Sequence, residues 1–206
     1  MLILRLFAIN RKKMLSLEES LRILKETDAL VEGHFILSSG LHSPKYIQCA
    51  QLLSKPEKAS KICKSLAEKI SNEISDFNLI LSPAMGGIII GYEIGKILNK
   101  KTIFSERING EFNLRRGFKI EKEDKVLIVE DVITTGKSSL ECSKLISSAG
   151  AKLAGYACII DRTNDKSEIK QKIISQVKLD IPTYSENNLP KDLSSIKAVK
   201  PGSRNL

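Results

Sequence analysis

Apolar residues in this chain fall into two textures. In the first they recur at helical spacing. Ser16-Leu17-Glu18-Glu19 reads as a capping box, with Ser16 accepting from the Glu19 amide and Glu19 reaching back to the Ser16 amide. Leu17, Leu21 and Leu24 then share one face, which predicts a helix ending near Thr27 or Asp28. Pro56 starts a second helix, since its missing amide costs nothing at the first helical position. Ala59, Ile62, Cys63, Leu66, Ala67, Ile70 and Ile74 form its stripe. In the second texture, apolar residues run together in short stretches at 79–81, 103–104, 126–129 and 154–160. Strands that do not alternate are covered on both faces. Helices are predicted between them over 88–98 and 138–148, with Gly150 as a stop.

This alternation predicts an α/β fold with a parallel sheet flanked by helices. A further helix is expected over 168–177 and a last strand over 178–181, ended by Pro182. Residues 35–48 read as a hairpin: 35–37 and 46–47 are extended pieces, with Ser38-Ser39-Gly40 and Ser43-Pro44 as turn signals. The part before residue 75 differs in texture from the rest and is expected to pack on one end of the sheet as a small subdomain.

Composition narrows the class. A chain of 206 residues suffices for one well-buried core, hiding roughly 70% of its extended surface. At 42% hydrophobic and 28% charged residues, bulk disorder is excluded. Cys49, Cys63, Cys142 and Cys158 form no CxxC pair and do not cluster with the two histidines, which argues against zinc and for a reducing, cytoplasmic compartment. No apolar run reaches the length of a membrane span. The start, MLILRLFAINRKK, has Arg5 inside its apolar run and its charges after it, the wrong order for a secretory signal. Residues 1–14 are read as an extension, with Met14 as the start of translation; a membrane-surface anchor is the alternative. Without Arg5, Arg11, Lys12 and Lys13 the net charge falls from +9 to +5 (9 − 4). A basic chain prefers anionic partners, either nucleic acid or a phosphorylated small molecule. Aromatic residues make up only 5% and do not interleave with basic ones to stack bases.

The chemistry is concentrated in KVLIVEDVITTGKSS, residues 125–139. A strand runs into two acids, then a hydroxyl- and glycine-rich turn, then a helix. Such a turn lies at the carboxyl end of a sheet strand, where ligands bind in open α/β folds. Thr134, Thr135, Gly136, Lys137 and Ser138 can offer amides and hydroxyls to one phosphate, and the helix start adds unpaired amides. Glu130 and Asp131 would repel an anion unless they accept from ribose hydroxyls or hold magnesium through water. A Walker A loop needs a glycine where Asp131 stands, so that reading fails. A second segment, residues 107–118, carries Arg107, Arg115 and Arg116 with Gly110 and Gly117. It reads as a mobile loop or hairpin, either a solvated basic turn or a cover whose arginines fork onto diphosphate oxygens.

VLIVEDVITTGKS resembles the ribose-phosphate signature of the type I phosphoribosyltransferases. EGHFILSSGLHSPKYIQ, LSPAMGGIIIGYEIG, SERINGEFNLRRGF, IIDRTN and KPGSR are similar to the orotate-using branch of that family. The resemblance implies a single domain over 15–206. A small N-terminal hood, made largely from 15–50 with the C-terminal segment, would sit on the parallel sheet. It implies a magnesium-dependent, homodimeric enzyme of UMP synthesis that joins orotate to 5-phosphoribosyl 1-diphosphate, with no nucleic-acid or membrane partner. By the same resemblance Glu130, Asp131, Val132, Ile133, Thr134, Thr135, Gly136, Lys137 and Ser138 bind the phosphoribosyl donor. Thr134, Arg162, Ser39 and Gly40 bind orotate. Arg107, Arg115, Arg116 and Asp131 serve catalysis, and magnesium is held mainly by donor oxygens and water near Glu130 and Asp131. Arg162 suits orotate because a guanidinium grips a carboxylate. Ser38, Gly86, Ile108, Glu111 and Asn113 stand where the best-known bacterial form has lysines or a histidine. The exact diphosphate ligands therefore stay open. His34 and His42 lie near the expected hood; a catalytic role stays open beside the blander reading of exposed turn histidines. The rivals are a purine-using member of the family and a non-catalytic nucleic-acid-binding regulator on the same fold.

Overall fold

A computed structural model describes residues 14–164 and 167–201. The N-terminal extension up to residue 13, and the last part of KPGSR, lie outside the described residues. Helix α1 (Leu17–Glu26) begins with the expected capping box: the Glu19 amide donates to Ser16 Oγ at 3.1 Å, and the Ser16 amide to Glu19 Oε2 at 2.7 Å. Strands β1 (Leu30–Ile36) and β2 (His42–Ile47) pair antiparallel as a separate two-stranded sheet. A short helix α2 (Cys49–Leu53) leads into α3 (Pro56–Glu73), with Pro56 at its first turn.

The main sheet is built from β3 (Leu79–Pro83), β4 (Lys101–Ile108), β5 (Glu111–Leu114), β6 (Lys125–Ile133), β7 (Lys152–Asp161) and β8 (Ile173–Lys178). Their order is β5-β4-β3-β6-β7-β8, and all neighbours are parallel except the edge strand β5. Helix α4 (Gly86–Leu98) connects β3 to β4, and α5 (Lys137–Ser148) connects β6 to β7. Ile90 and Ile94 of α4 join Ile62, Leu66 and Ile70 of α3 in a core that includes Leu127 and Val129 of β6. Cys142 and Ile146 of α5 join Val126 and Ile128 in the core on the other face. The apolar run at 126–129 is thus buried on both sides, as its texture demanded. Because β3 feeds β4 on one side and β6 feeds β7 on the other, the order reverses between β3 and β6. The carboxyl ends of those two strands open a crevice at that reversal.

The helix expected over 168–177 does not form. Residues 167–172 are irregular and Ile173–Lys178 is strand β8, which replaces the strand expected over 178–181. Ile173, Ile174 and Val177 are β-branched, and register against β7 buries Ile174 and Val177 at the sheet. The segment at 107–118 is a hairpin: β4 and β5 pair antiparallel across Asn109-Gly110, both at positive φ (51° and 88°). Asn-Gly suits that two-residue turn because neither residue is penalised strongly there.

The chain's last helix, α6 (Lys191–Ser194), is followed by residues that return to the β1–β2 sheet. Val199 bridges Phe35, and Tyr184 bridges His42 on the opposite edge. The two histidines are buried rather than exposed in a turn. His34 Nε2 lies 2.6 Å from His42 Nδ1, and His34 Nδ1 lies 2.8 Å from the Ile196 carbonyl. A carbonyl only accepts, so His34 Nδ1 carries a hydrogen and donates it to Ile196, and one hydrogen is shared between His34 Nε2 and His42 Nδ1. The pair joins the C-terminal segment to the hairpin.

Candidate active site

At the switch point, β6 extends past its apolar run into Glu130, Asp131, Val132 and Ile133. The two acids diverge. Glu130 is 7% exposed and turns toward α5, where it accepts a hydrogen bond from Ser139 Oγ at 2.5 Å. Burial pushes its carboxyl up to about 7, against the pull of the Ser139 hydrogen bond and helped by the neighbouring Asp131 charge. Asp131 turns the other way, toward the start of α4. A Cβ placed on Gly86 would lie 2.6–2.7 Å from its carboxylate atoms, so the missing side chain at 86 leaves the room that Asp131 fills. Burial raises the Asp131 carboxyl too, offset by the Val132 and Asp131 amides.

Beyond β6, Thr134 and Thr135 are exposed and Gly136 is buried. Gly136 has φ 81°, and a Cβ there would lie 2.6 Å from Ile169 Cδ1, so both backbone and space require glycine. Gly136, the N-cap residue, has no side chain to cap α5, so the amides of its first turn face the loop with Thr135 beside the first of them. Thr135 Oγ1 lies 3.4 Å from the Lys137 amide, while Lys137 is exposed and Ser138 half-buried. Hydroxyls, open amides and a helix dipole converge here, a combination suited to a phosphate group.

Arg162 follows β7, and its amide donates to the Ile133 carbonyl at 2.8 Å, rooting it beside the end of β6. Its Nε is buried without a hydrogen-bond partner, and burial lowers its pKa from the usual guanidinium value. Asp161, unremarked in the sequence, fixes the turn beneath it by accepting from the Thr163 amide at 2.8 Å and the Thr163 hydroxyl at 2.6 Å. Ser39 and Gly40 form the exposed tip of the β1–β2 hairpin, with Gly40 at φ 81° and its amide on the Leu37 carbonyl. That hairpin leaves into the site: Cys49, just after β2, lies 4.0 Å from the Asp131 carbonyl.

The arginines of residues 107–118 are engaged at the sheet edge. Arg107 pairs with Glu141 of α5 at 2.6 Å, donates to the Gly110 carbonyl and lies over the Phe112 ring. Arg116 forks onto Glu106 at 2.9 and 3.0 Å. Arg115 is exposed. Among the described residues none of the three forms an ion pair with Glu130 or Asp131. Glu141, Glu106 and Ser139 were missed from sequence. Only Ser139 left a signal, as a small polar residue on the α5 face that also carries Cys142 and Ile146.

A phosphate cradle and acids at the switch point of such a sheet fit a phosphoribosyl-handling enzyme, and comparison with known proteins agrees. Residues 48–192 match the model of the phosphoribosyl transferase domain, and the chain belongs to that family. The chain is 45% identical over 190 residues to the orotate phosphoribosyltransferase of Parvibaculum lavamentivorans, covering 92% of this chain and 98% of that protein. It is 44% identical, with the same coverage, to that of Maricaulis maris. Its place in the family is among the orotate phosphoribosyltransferases. The fold matches the crystal structure of the Aeropyrum pernix orotate phosphoribosyltransferase with a TM-score of 0.67 at 22% identity, over 77% of this chain and 92% of that one. The Francisella tularensis orotate phosphoribosyltransferase gives 0.61 at 20% identity, over 81% and 84%.

Proposed function

We propose that this protein transfers ribose 5-phosphate from 5-phosphoribosyl 1-diphosphate to orotate, giving orotidine 5′-monophosphate and diphosphate for UMP synthesis. The observation that carries the reading is the uncapped first turn of α5 beside Asp131 and Arg162 at the switch point. The open amides, with Thr134, Thr135 and Ser138, take the 5-phosphate. Asp131 accepts from ribose hydroxyls. Arg162 Nε, buried and unpaired, has a donor to give to the orotate carboxylate. Thr134 and the hairpin tip at Ser39 and Gly40 flank the base.

The reaction breaks a C1–oxygen bond and forms a C1–nitrogen bond. Positive charge grows on the ribose and negative charge on the departing diphosphate. The negative charge of orotate sits on its carboxylate, so the attacking ring nitrogen gives up its proton to a diphosphate oxygen or water as it bonds to C1; no covalent enzyme intermediate is required, and the chain's residues act by orientation and electrostatics. The Asp131 carboxylate, a hard oxygen donor beside Gly86, fits a hydrated magnesium ion carried on the donor's oxygens. When bound, that ion would neutralise charge on the leaving group. Arg107, released from Glu141, is placed on the hairpin to meet the diphosphate, with Arg115 and Arg116 behind it.

We further propose a homodimer that works in the cytoplasm. Met85, just before α4, and Ile89 and Tyr92 along it are exposed at helical spacing, with Met85 83% exposed, and Ile89 and Tyr92 border a groove of about 600 Å³ against α3. An exposed apolar stripe of this kind marks an interface, and a second copy seated there lies beside the start of α4 and so beside the site.

The test is consumption of 5-phosphoribosyl 1-diphosphate with magnesium against orotate, uracil, adenine, guanine and hypoxanthine. Turnover with orotate alone is expected. Turnover with a purine and none with orotate would replace the reading with the purine-using alternative, and absence of diphosphate release with every base would refute it.

A further inference from the structure

The β1–β2 hairpin, whose tip at Ser39 and Gly40 flanks the base, is joined to its own stem by a broken ladder. The register slips between Glu32 and Phe35, so β1 carries one more residue than β2 across that stretch. Pro44 stands on β2 opposite the slip and has no amide to donate. Beyond the slip, the tip half is gripped from both edges by the C-terminal segment. On the β1 edge the Val199 amide donates to the His34 carbonyl at 2.8 Å, and the Ile36 amide to the Val199 carbonyl at 2.9 Å. On the β2 edge His42 and Tyr184 exchange amide–carbonyl bonds at 2.8 and 2.9 Å.

His34 and His42 close this arrangement across the strands. Their residues are buried, 5% and 7% exposed. His34 Nδ1 donates to the Ile196 carbonyl, just beyond α6, and His34 Nε2 shares a hydrogen with His42 Nδ1 at 2.6 Å. A path of contacts thus runs from the C-terminal segment through His34 to His42, two residues past the tip glycine. A buried ring nitrogen left without its partner is unfavourable, so losing either ring loosens the whole contact. The rings are not set up to exchange a proton with substrate, since both nitrogens of His34 and Nδ1 of His42 are spent on these contacts.

We infer that His34 and His42 are positioning residues for orotate: they clasp the tip half of the hairpin to the C-terminal segment and so hold the wall that meets the base. The inference rests on the orotate-using reading of the site and deepens it. With the clasp open, only the fraction of molecules whose wall is in place accepts orotate, so the loss appears in orotate affinity. The donor site is built on β6 and α5 and keeps its geometry. The reacting atoms lose no group, so turnover at saturating orotate holds.

Steady-state rates with magnesium, varied in orotate and in 5-phosphoribosyl 1-diphosphate, test this in four variants: His42→Ala, His42→Asn, Val199→Pro and the His42→Ala/Val199→Pro double variant. Thermal melts verify folding. His42→Ala removes the ring that meets His34. Val199→Pro removes the amide that meets the His34 carbonyl and leaves both rings in place. Each should raise KM for orotate about tenfold, the scale of one buried partner left unsatisfied, with kcat and KM for the phosphoribosyl donor unchanged. The double variant should be close to either single one, because both open the same clasp. His42→Asn puts an amide nitrogen where Nδ1 stands and should restore most of the orotate affinity lost in His42→Ala. The inference is overturned if folded His42→Ala and Val199→Pro both keep the wild-type KM for orotate, or if His42→Asn is as impaired as His42→Ala. It is also overturned if kcat falls at unchanged KM, which would put a ring in the chemistry. Should His42→Ala not fold, Val199→Pro decides the matter alone. Wild-type protein that did not turn over orotate would instead sink the orotate-using reading, and the inference with it.

Discussion

Replacing Gly86 with alanine should separate stability from activity by means of a single methyl group. Gly86 is the first residue of α4 and does not have a positive φ, so alanine is welcome there as far as the backbone is concerned. Helix propensity favours the change by up to about 1 kcal/mol. The new Cβ, however, falls 2.6 Å from Asp131 Oδ1 and 2.7 Å from its Cγ and Oδ2. Ordinary contact begins near 3.4 Å, so the carboxylate must swing aside by something on the order of 1 Å. The swing itself is inexpensive, about 1 kcal/mol for a side chain pushed off its rotamer, and roughly cancels the helical gain. Displacing a group that orients the reacting sugar by about 1 Å can cost about 10²-fold in rate. Melting of Gly86→Ala should therefore stay within a few degrees of the wild type, while kcat for diphosphate release falls by about 10²-fold. A variant with unchanged melting and unchanged kcat would refute the claim that Asp131 works from the position Gly86 leaves open.

Three further outcomes follow from the same geometry. Arg162→Ala should raise KM for orotate about 10- to 100-fold, the range of a lost charge-assisted pair, with KM for the phosphoribosyl donor nearly unchanged; equal KM for orotate in initial-rate assays would put the carboxylate elsewhere. Asp131→Asn should lower kcat by about 10²-fold or more, and near-normal turnover of a folded variant would remove Asp131 from the mechanism. Burial raises the Glu130 carboxyl in the fold from 4.5 to about 7, so the folded state binds its proton more tightly than the unfolded chain does. The stability this contributes is complete below pH about 4.5 and lost as pH rises through about 7, a change on the order of 3 kcal/mol. Glu130→Gln should flatten that part of the melting-versus-pH curve, and parallel curves for the two proteins would contradict a raised Glu130.

The strands of the main sheet were legible where burial on both faces wrote continuous apolar runs, as at β6 and β7. The β6–α5 loop was legible because its acids, hydroxyls and glycine have no reason to follow a buried strand unless a ligand is met there. Strand β1 was read too short, since Val31-Glu32-Gly33-His34 mixes charge, glycine and histidine and owes its pairing to β2. Ile173 and Ile174 belong to a strand because β7 supplies the neighbour; their local spacing fitted a helix as well. The arginine partners lay beyond sequence reasoning for a similar reason, as nothing near Arg107 announces Glu141 on α5. The divergence of Glu130 and Asp131 could have been foreseen from the alternation of a strand alone, had the two been treated as strand residues rather than as a motif.

The C-terminal stitching of the small sheet has a consequence for how the molecule is made. A lone two-stranded hairpin is marginal in water, and this one receives its edge partners, Tyr184 and Val199, and the carbonyl that meets His34 162 positions later. Strands β3 to β8 are all synthesised before residue 179, so the switch-point crevice can assemble before Tyr184 and Val199 emerge from the ribosome. The hairpin gains its edge partners only after they do. Newborn molecules therefore pass through a stage in which the proposed phosphate cradle exists and the proposed orotate-facing wall does not.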